Sequence, residues 1–318
     1  MIVLAFVFWA GPAAAFDYDF DNSKVSLSGY GTLGNLSRTD ENQPYLAFDW
    51  QARAQYTEDG GGAVLTLNQA SELPSRYLQD LFVFIDAGPG RFEVGFTNSA
   101  AQKLGVGLVD AGGLRINNSL LIYGLMHRPN IIAAPAAGSS NNKIRASYVS
   151  KPGFFQAGAG YAAPQQDMDG SFDAGLRFKG GEAVKYSLSL GASHIFRPDG
   201  LIAEIYAPRV NAKSRDELAA GLNIQYHSWS FGVVGKGIYD YRPIGRPSDG
   251  VLYGGGIAYE ILTWKASVNA LRSDTGVFHG CAFGACQNTT ALLSIQDKLD
   301  EIVDIWASLG KIFGDEAP

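Results

Sequence analysis

The sequence predicts an all-β protein: a transmembrane antiparallel β-barrel of about 16 strands, 15 of which can be read directly. Three observations carry that expectation. Apolar and polar residues alternate with period two along most of the chain. Aromatic residues recur near the strand ends on the apolar face, where rings can occupy a membrane interface. Tight turns such as Pro152-Gly153, Gly180-Gly181 and His227-Ser228 are separated by longer connections, as on the two rims of an outer-membrane barrel.

Composition narrows the alternatives. The chain has 318 residues, 46% of them apolar and only 18% charged, with 39 glycines in no repeating tract. That excludes disorder and a collagen-like fibre. A formal charge of −6 without any Lys/Arg cluster excludes nucleic acid as a partner, because phosphate binding needs basic side chains that displace counterions. Beyond the first residues no apolar run reaches the length of a spanning helix, so strands are left to cross a membrane.

Residues 1–15 carry no charge: an apolar run, Met1 to Ala10, leads to Gly11, Pro12 and Ala13 to Ala15. This predicts a signal peptide cleaved before Phe16, with residues 16–318 forming the barrel. No Lys or Arg precedes the run, which also admits a start further upstream.

The clearest strand is Leu46 to Tyr56, where Phe48, Trp50, Ala52, Ala54 and Tyr56 alternate with Asp49, Gln51, Arg53 and Gln55. Val25 to Leu33 precedes it; Ala63 to Ala70, Leu81 to Asp86 and Arg91 to Phe96 follow. Alternation then stops from Thr97 to Asn142, a 46-residue interruption too long for an ordinary hairpin connection and therefore read as functional. It resumes at Lys143 to Ser150, Phe154 to Tyr161, Ser171 to Lys179 and Val184 to His194. Glu217 to Tyr226, Trp229 to Tyr239, Val251 to Glu260 and Thr263 to Arg272 continue it, and Thr289 to Ile295 and Ile302 to Phe313 complete the set. Many outward positions are only alanine or glycine, which lipid tails tolerate better than a protein core does.

The leader, the opening strand Ser28-Gly29-Tyr30-Gly31-Thr32-Leu33-Gly34 and the run Gly90-Arg91-Phe92-Glu93-Val94-Gly95-Phe96 before the long interruption give a resemblance. The chain resembles the Gram-negative general porins, especially the shorter porins of alphaproteobacteria. The resemblance implies a sixteen-stranded homotrimer in the outer membrane of a Gram-negative bacterium, in contact with lipid and lipopolysaccharide. It also implies that the third external loop, residues 97–142, folds into the barrel and narrows a water-filled passage for small hydrophilic solutes and ions.

The residues' own charges agree with a water-filled interior. Arg53, Arg91, Lys143, Arg145, Arg177, Lys179, Lys185, Lys236 and Lys265 alternate inward, against Asp49, Glu93, Asp173 and Glu217. The wall is thus basic while loops and turns are acidic, and such charges persist only where water or counter-charges solvate them. In the family the infolded loop carries acids that face arginines on the wall. Here the loop has Lys103, Arg115, His127 and Arg128 but only Asp110 as an acid. By the resemblance, Asp110 takes the acidic-loop role and Arg53, Arg91, Lys143 and Arg145 are the wall candidates. Lys103 and Arg115 join them at a constriction whose net positive charge favours anions.

Strand parity poses a problem, because termini on one rim need an even number and Gly314 to Pro318 reads as the start of a loop. The sixteenth strand is either absent after Phe313 or lies unread within Phe196 to Arg215 or Leu120 to Leu125. Cys281 and Cys286 fall in the seventh external loop, where a disulfide is the natural reading outside the cytoplasm and unlinked thiols the alternative. With only His279 nearby, no metal site is expected, and none of the motifs implies a cofactor. Gly29-x-Gly31-x-x-Gly34 lies inside an alternating strand and is not a dinucleotide fingerprint. The expected function is a passive diffusion channel and not an enzyme. The alternatives are a substrate-selective channel, with Tyr123 and Phe154 as its only aromatic candidates, and an outer-membrane barrel enzyme. Ala157, Ala159 and Gly255 offer small outward residues for barrel-to-barrel contact, and calcium at the acidic loops is chemically conceivable.

Overall fold

A computed structural model of the chain describes residues 2–5, 16–20, 22–37, 42–70, 78–111, 137, 144–164, 170–196, 214–241, 250–276, 285–298 and 304–314. Seventeen strands are described. They are β1 (Ile2–Ala5), β2 (Phe16–Phe20), β3 (Ser23–Ser37), β4 (Asn42–Glu58), β5 (Gly61–Ala70), β6 (Leu78–Ala87) and β7 (Gly90–Phe96). After a short helix α1 (Ala100–Leu104) come β8 (Ile144–Ser150), β9 (Phe155–Ala162), β10 (Gly170–Gly180), β11 (Val184–Phe196) and β12 (Ser214–Tyr226). The last five are β13 (Trp229–Tyr241), β14 (Gly250–Ile261), β15 (Trp264–Gly276), β16 (Ala285–Lys298) and β17 (Asp304–Gly314).

From β2 to β17 each strand pairs antiparallel with the next, and β1 pairs with both β17 and β3. All 15 strands read from the sequence are present. The strand the sequence reading lacked is β2, Phe16-Asp17-Tyr18-Asp19-Phe20, which makes sixteen from β2 to β17. It alternates as cleanly as the others, but five residues directly after the expected cleavage point are too few to register as a periodic run. Residues 197–213 and 120–125, the other places considered, lie outside the described residues. β1 falls within the segment expected to be a leader; here it sits between β17 and β3, with Ile2 opposite both Lys311 and Ser37.

Which face meets water is decided by burial. Val83 is 59% and Ile85 64% exposed, and Phe92, Val94, Leu218, Val233 and Val268 are similarly open. On the opposite face, Thr66, Ser189, Ser193, Ser267, Asn269 and Ser294 are buried. A soluble sheet would reverse this distribution, because an apolar surface running round strand after strand is stable only against lipid. The side chains given as inward by alternation on β10, Asp173, Gly175, Arg177 and Lys179, do face inward, with Phe172, Ala174 and Leu176 exposed outside.

Tight turns cluster on one rim: 59–60, 88–89, 151–154, 181–183, 227–228 and 262–263. Gly181 is required in its turn, since at φ +88° an added Cβ would lie 1.7 Å from the Val184 carbonyl oxygen. Outward aromatics gather at both rims. On the turn side Phe155 meets Phe178 at 5.0 Å and Trp229 meets Tyr259 at 4.6 Å; on the loop side Tyr161 meets Phe172 at 4.7 Å and Phe172 meets Phe196 at 5.6 Å. Phe154, considered for a lumenal slide, lies beside the outward Phe178 and belongs to the turn-side belt.

Candidate functional site

The described start of the long loop, 97–111, is laid against the inner wall, as the resemblance implied. Its first turn is tied to β8 and β10. The Arg145 guanidinium donates to the Thr97 carbonyl at 2.7 Å and faces Asp173 with Nε to Oδ2 at 3.4 Å, while the Ala101 N–H donates to Asp173 Oδ1 at 3.2 Å. Ser99 caps α1 by accepting from the Gln102 N–H at 3.1 Å, and Arg177 of β10 donates to the Gly105 carbonyl just past the helix.

Beyond the helix the backbone continues across successive strands. The Val106 N–H donates to Ser189 Oγ on β11 at 2.9 Å, and the Ala111 N–H donates to Ser267 Oγ on β15 at 2.9 Å. Between these points it passes Gly221 of β12 and Gly232 of β13 at such short range that an added Cβ would lie 2.2 Å from Val106 O and 2.9 Å from Val109 N. Gly158 and Gly175 make similar room for α1. The sequence reading drew attention to small residues on the lipid face and placed Gly175 inward; Gly158, Gly221 and Gly232 face inward with it, and together they form the seat of the loop. Ala100, Ala101, Leu104, Val106, Leu108 and Ala111 are buried on that seat, so apolar contact adds to the hydrogen bonds.

The expected site residues separate into distinct groups. Arg145 is inward but only 1% exposed, because α1 and Thr97 cover it; it is a loop anchor, not a lumenal charge. Arg91 stands immediately after the β6–β7 turn, bound to Asp86 at 2.7 and 2.8 Å and lying 3.9 Å over the Phe84 ring, at the turn-side rim and not at mid-height. Lys103 reaches back from α1 to Glu93 of β7 and to Ser147 Oγ at 3.5 Å, and Thr97 Oγ1 donates to the same carboxylate at 3.1 Å. Alternation identifies a face but neither a height nor a partner, which is why these cations read as lumenal.

Arg53 is the member of the set that is exposed on the inner wall, opposite Ser26 and Thr66 in register; its guanidinium contacts Gln55 Oε1 at 3.5 Å. No carboxylate among the described residues pairs with it. Asp110 is half-buried next to Ala111 in the docked segment. Arg115, Tyr123, His127, Arg128, Lys143 and Cys281 lie outside the described residues, as does the side chain of Cys286. Sequence reasoning missed Ser189, Ser267 and the inward glycines; the available signal was a small residue recurring on the polar face of consecutive strands.

On the wall next to the loop, Lys236 and Glu217 form a buried ion pair at 3.1 Å. Three of the inward acids, Glu93, Asp173 and Glu217, are therefore each engaged by a cation.

A lipid-facing barrel whose interior is polar and crossed by its own loop belongs to the class of membrane channels. The family follows from the sequence itself. A family model described as Gram-negative porin matches residues 1–292, and the chain belongs to that family. It is an outer-membrane channel for passive diffusion. No curated protein matches it.

Solved structures share the fold. OmpT of Vibrio cholerae, an outer membrane protein in its trimer form, is 12% identical with a TM-score of 0.66, covering 92% of this chain and 90% of that one. An anion-selective porin from Comamonas acidovorans is 14% identical with a TM-score of 0.61, covering 92% and 90%. Salmonella typhi OmpF is 10% identical with a TM-score of 0.54, covering 94% of this chain and 100% of that one.

Proposed function

We propose that the passage prefers anions and that its narrowest part lies between the infolded loop, residues 97–142, and the wall carrying Arg53. The observation that carries this reading is an imbalance on the inner wall: Glu93, Asp173 and Glu217 are held by cations, while Arg53 is exposed with no carboxylate paired to it among the described residues. A hydrated positive wall raises the local concentration of anions and repels cations within about a Debye length, ~8 Å at physiological salt. Lys143 and Arg115 add to this charge and Asp110 opposes it. The similarity to an anion-selective porin is in keeping with the reading.

The test is the zero-current potential of the refolded channel in a KCl gradient. The wild type is expected to take the sign set by chloride, and Arg53→Glu to lower the chloride-to-potassium permeability ratio several-fold. A wild type that takes the potassium sign would overturn the proposal.

The protein acts as a homotrimer contacting lipid and lipopolysaccharide, a reading supported by the family and by the trimeric form of a structural relative. It is read as a channel and not an enzyme, a reading supported by the family. Residues 1–15 are removed as a leader. The intact mass of protein extracted from outer membranes should correspond to a chain starting at Phe16; a mass that retains Met1 would refute this.

A further inference from the structure

Around the turn-side mouth, the inward basic residues of most sectors stand beside an acid. Lys24 is opposite Asp19, Lys265 is opposite Glu260, and Arg91 grips Asp86. The β10–β11 sector differs. Lys179 faces inward opposite Ser187, and Lys185, two residues from Ser187 on the same face, lies diagonally across from it and opposite Gln225. Such diagonal neighbours are separated by about 7–8 Å.

Both lysines are exposed, and neither is paired with a carboxylate among the described residues. Glu182, in the turn between the strands, is exposed and engages neither. Two like charges on neighbouring side chains repel each other, and an anion taken up between them relieves that repulsion. Arg177 precedes Lys179 by one inward step on β10 and is bound to the loop at Gly105, so the pair forms the lower end of a basic line running from the loop to the mouth.

We propose that Lys179 and Lys185 form a holding site for small polyvalent anions, of the phosphate or polycarboxylate class, at the turn-side entrance of the channel. The pair binds two anionic oxygens of one solute at once and passes the solute upward toward Arg177 and the loop. A monovalent anion gains less there because it cannot satisfy both charges. This inference rests on the anion preference proposed above and adds a side and a valence to it.

The experiment is single-channel recording in KCl with inorganic pyrophosphate added to one compartment and then the other. In the wild type, pyrophosphate should reduce the chloride current at an at least several-fold lower concentration from one compartment than from the other. In Lys179→Gln/Lys185→Gln this asymmetry should disappear while the channel still opens, and Arg53→Gln should leave the asymmetry in place. Equal block from both sides in the wild type, or undiminished asymmetry in the double variant, would overturn the inference. A wild type with the potassium sign of zero-current potential would instead remove the anion preference beneath it.

Discussion

Replacing Arg145 by alanine is expected to release the first turn of the loop and to destabilise the folded barrel by about 3–5 kcal/mol, the usual consequence of leaving a buried charge without its partner. Arg145 and Asp173 are both inaccessible, and the same guanidinium holds the Thr97 carbonyl. Its loss leaves Asp173 with the Ala101 N–H and no counter-charge. Urea unfolding of the refolded protein should show a lower midpoint, and single-channel records should show a larger, noisier conductance as the loop leaves the wall. Adding Asp173→Asn should recover part of the stability, because the stranded charge is gone, without restoring the quiet conductance. Equal midpoints for the wild type and Arg145→Ala would refute this role.

The second large effect is expected at Gly221. Valine there would put its Cβ 2.2 Å from the Val106 carbonyl oxygen, a backbone atom that cannot swing aside as the end of a flexible side chain could. Overpacking of this kind costs about 1–3 kcal/mol, and the cheapest relief is to lift the loop from β12. Gly221→Val is therefore expected to fold but to conduct abnormally, with protease cleavage appearing within residues 105–111. Gly235→Val is the control: the nearest atom to its added Cβ is the Leu252 carbonyl oxygen at 4.0 Å, and it should behave as wild type. Identical currents from all three proteins would show that the glycine seat does not set the loop's position.

These two sites also mark how far the sequence was legible. Period two identified the faces of β4, β10 and β12 correctly, because one face meets lipid and the other does not, so a single residue type rarely suits both. It failed for the chemistry of the inner face. Arg145 and Asp173 are on different strands and meet only through the pairing of β8, β9 and β10, a relation no local pattern encodes. Gly221 and Gly232 read as gaps in an alternation, whereas their missing side chains are complementary to a backbone more than a hundred residues earlier. Lys103 and Glu93 are only ten residues apart, yet one belongs to the loop and the other to the wall, so their union depends on the loop folding inward.

The route of that loop imposes an order on biogenesis. Val106 and Ala111 bind serines 83 and 156 residues further along the chain, on strands that exist only after most of the sheet has been laid down. Contacts so distant in sequence form late. A barrel whose strands have closed before the loop has docked is a wide, unfiltered hole in the membrane it is meant to guard. Glu93 on β7, followed by Arg145 and Asp173 on β8 and β10, are the earliest wall groups able to seize the loop, and they shorten the interval in which the cell is exposed to its own unfinished channel.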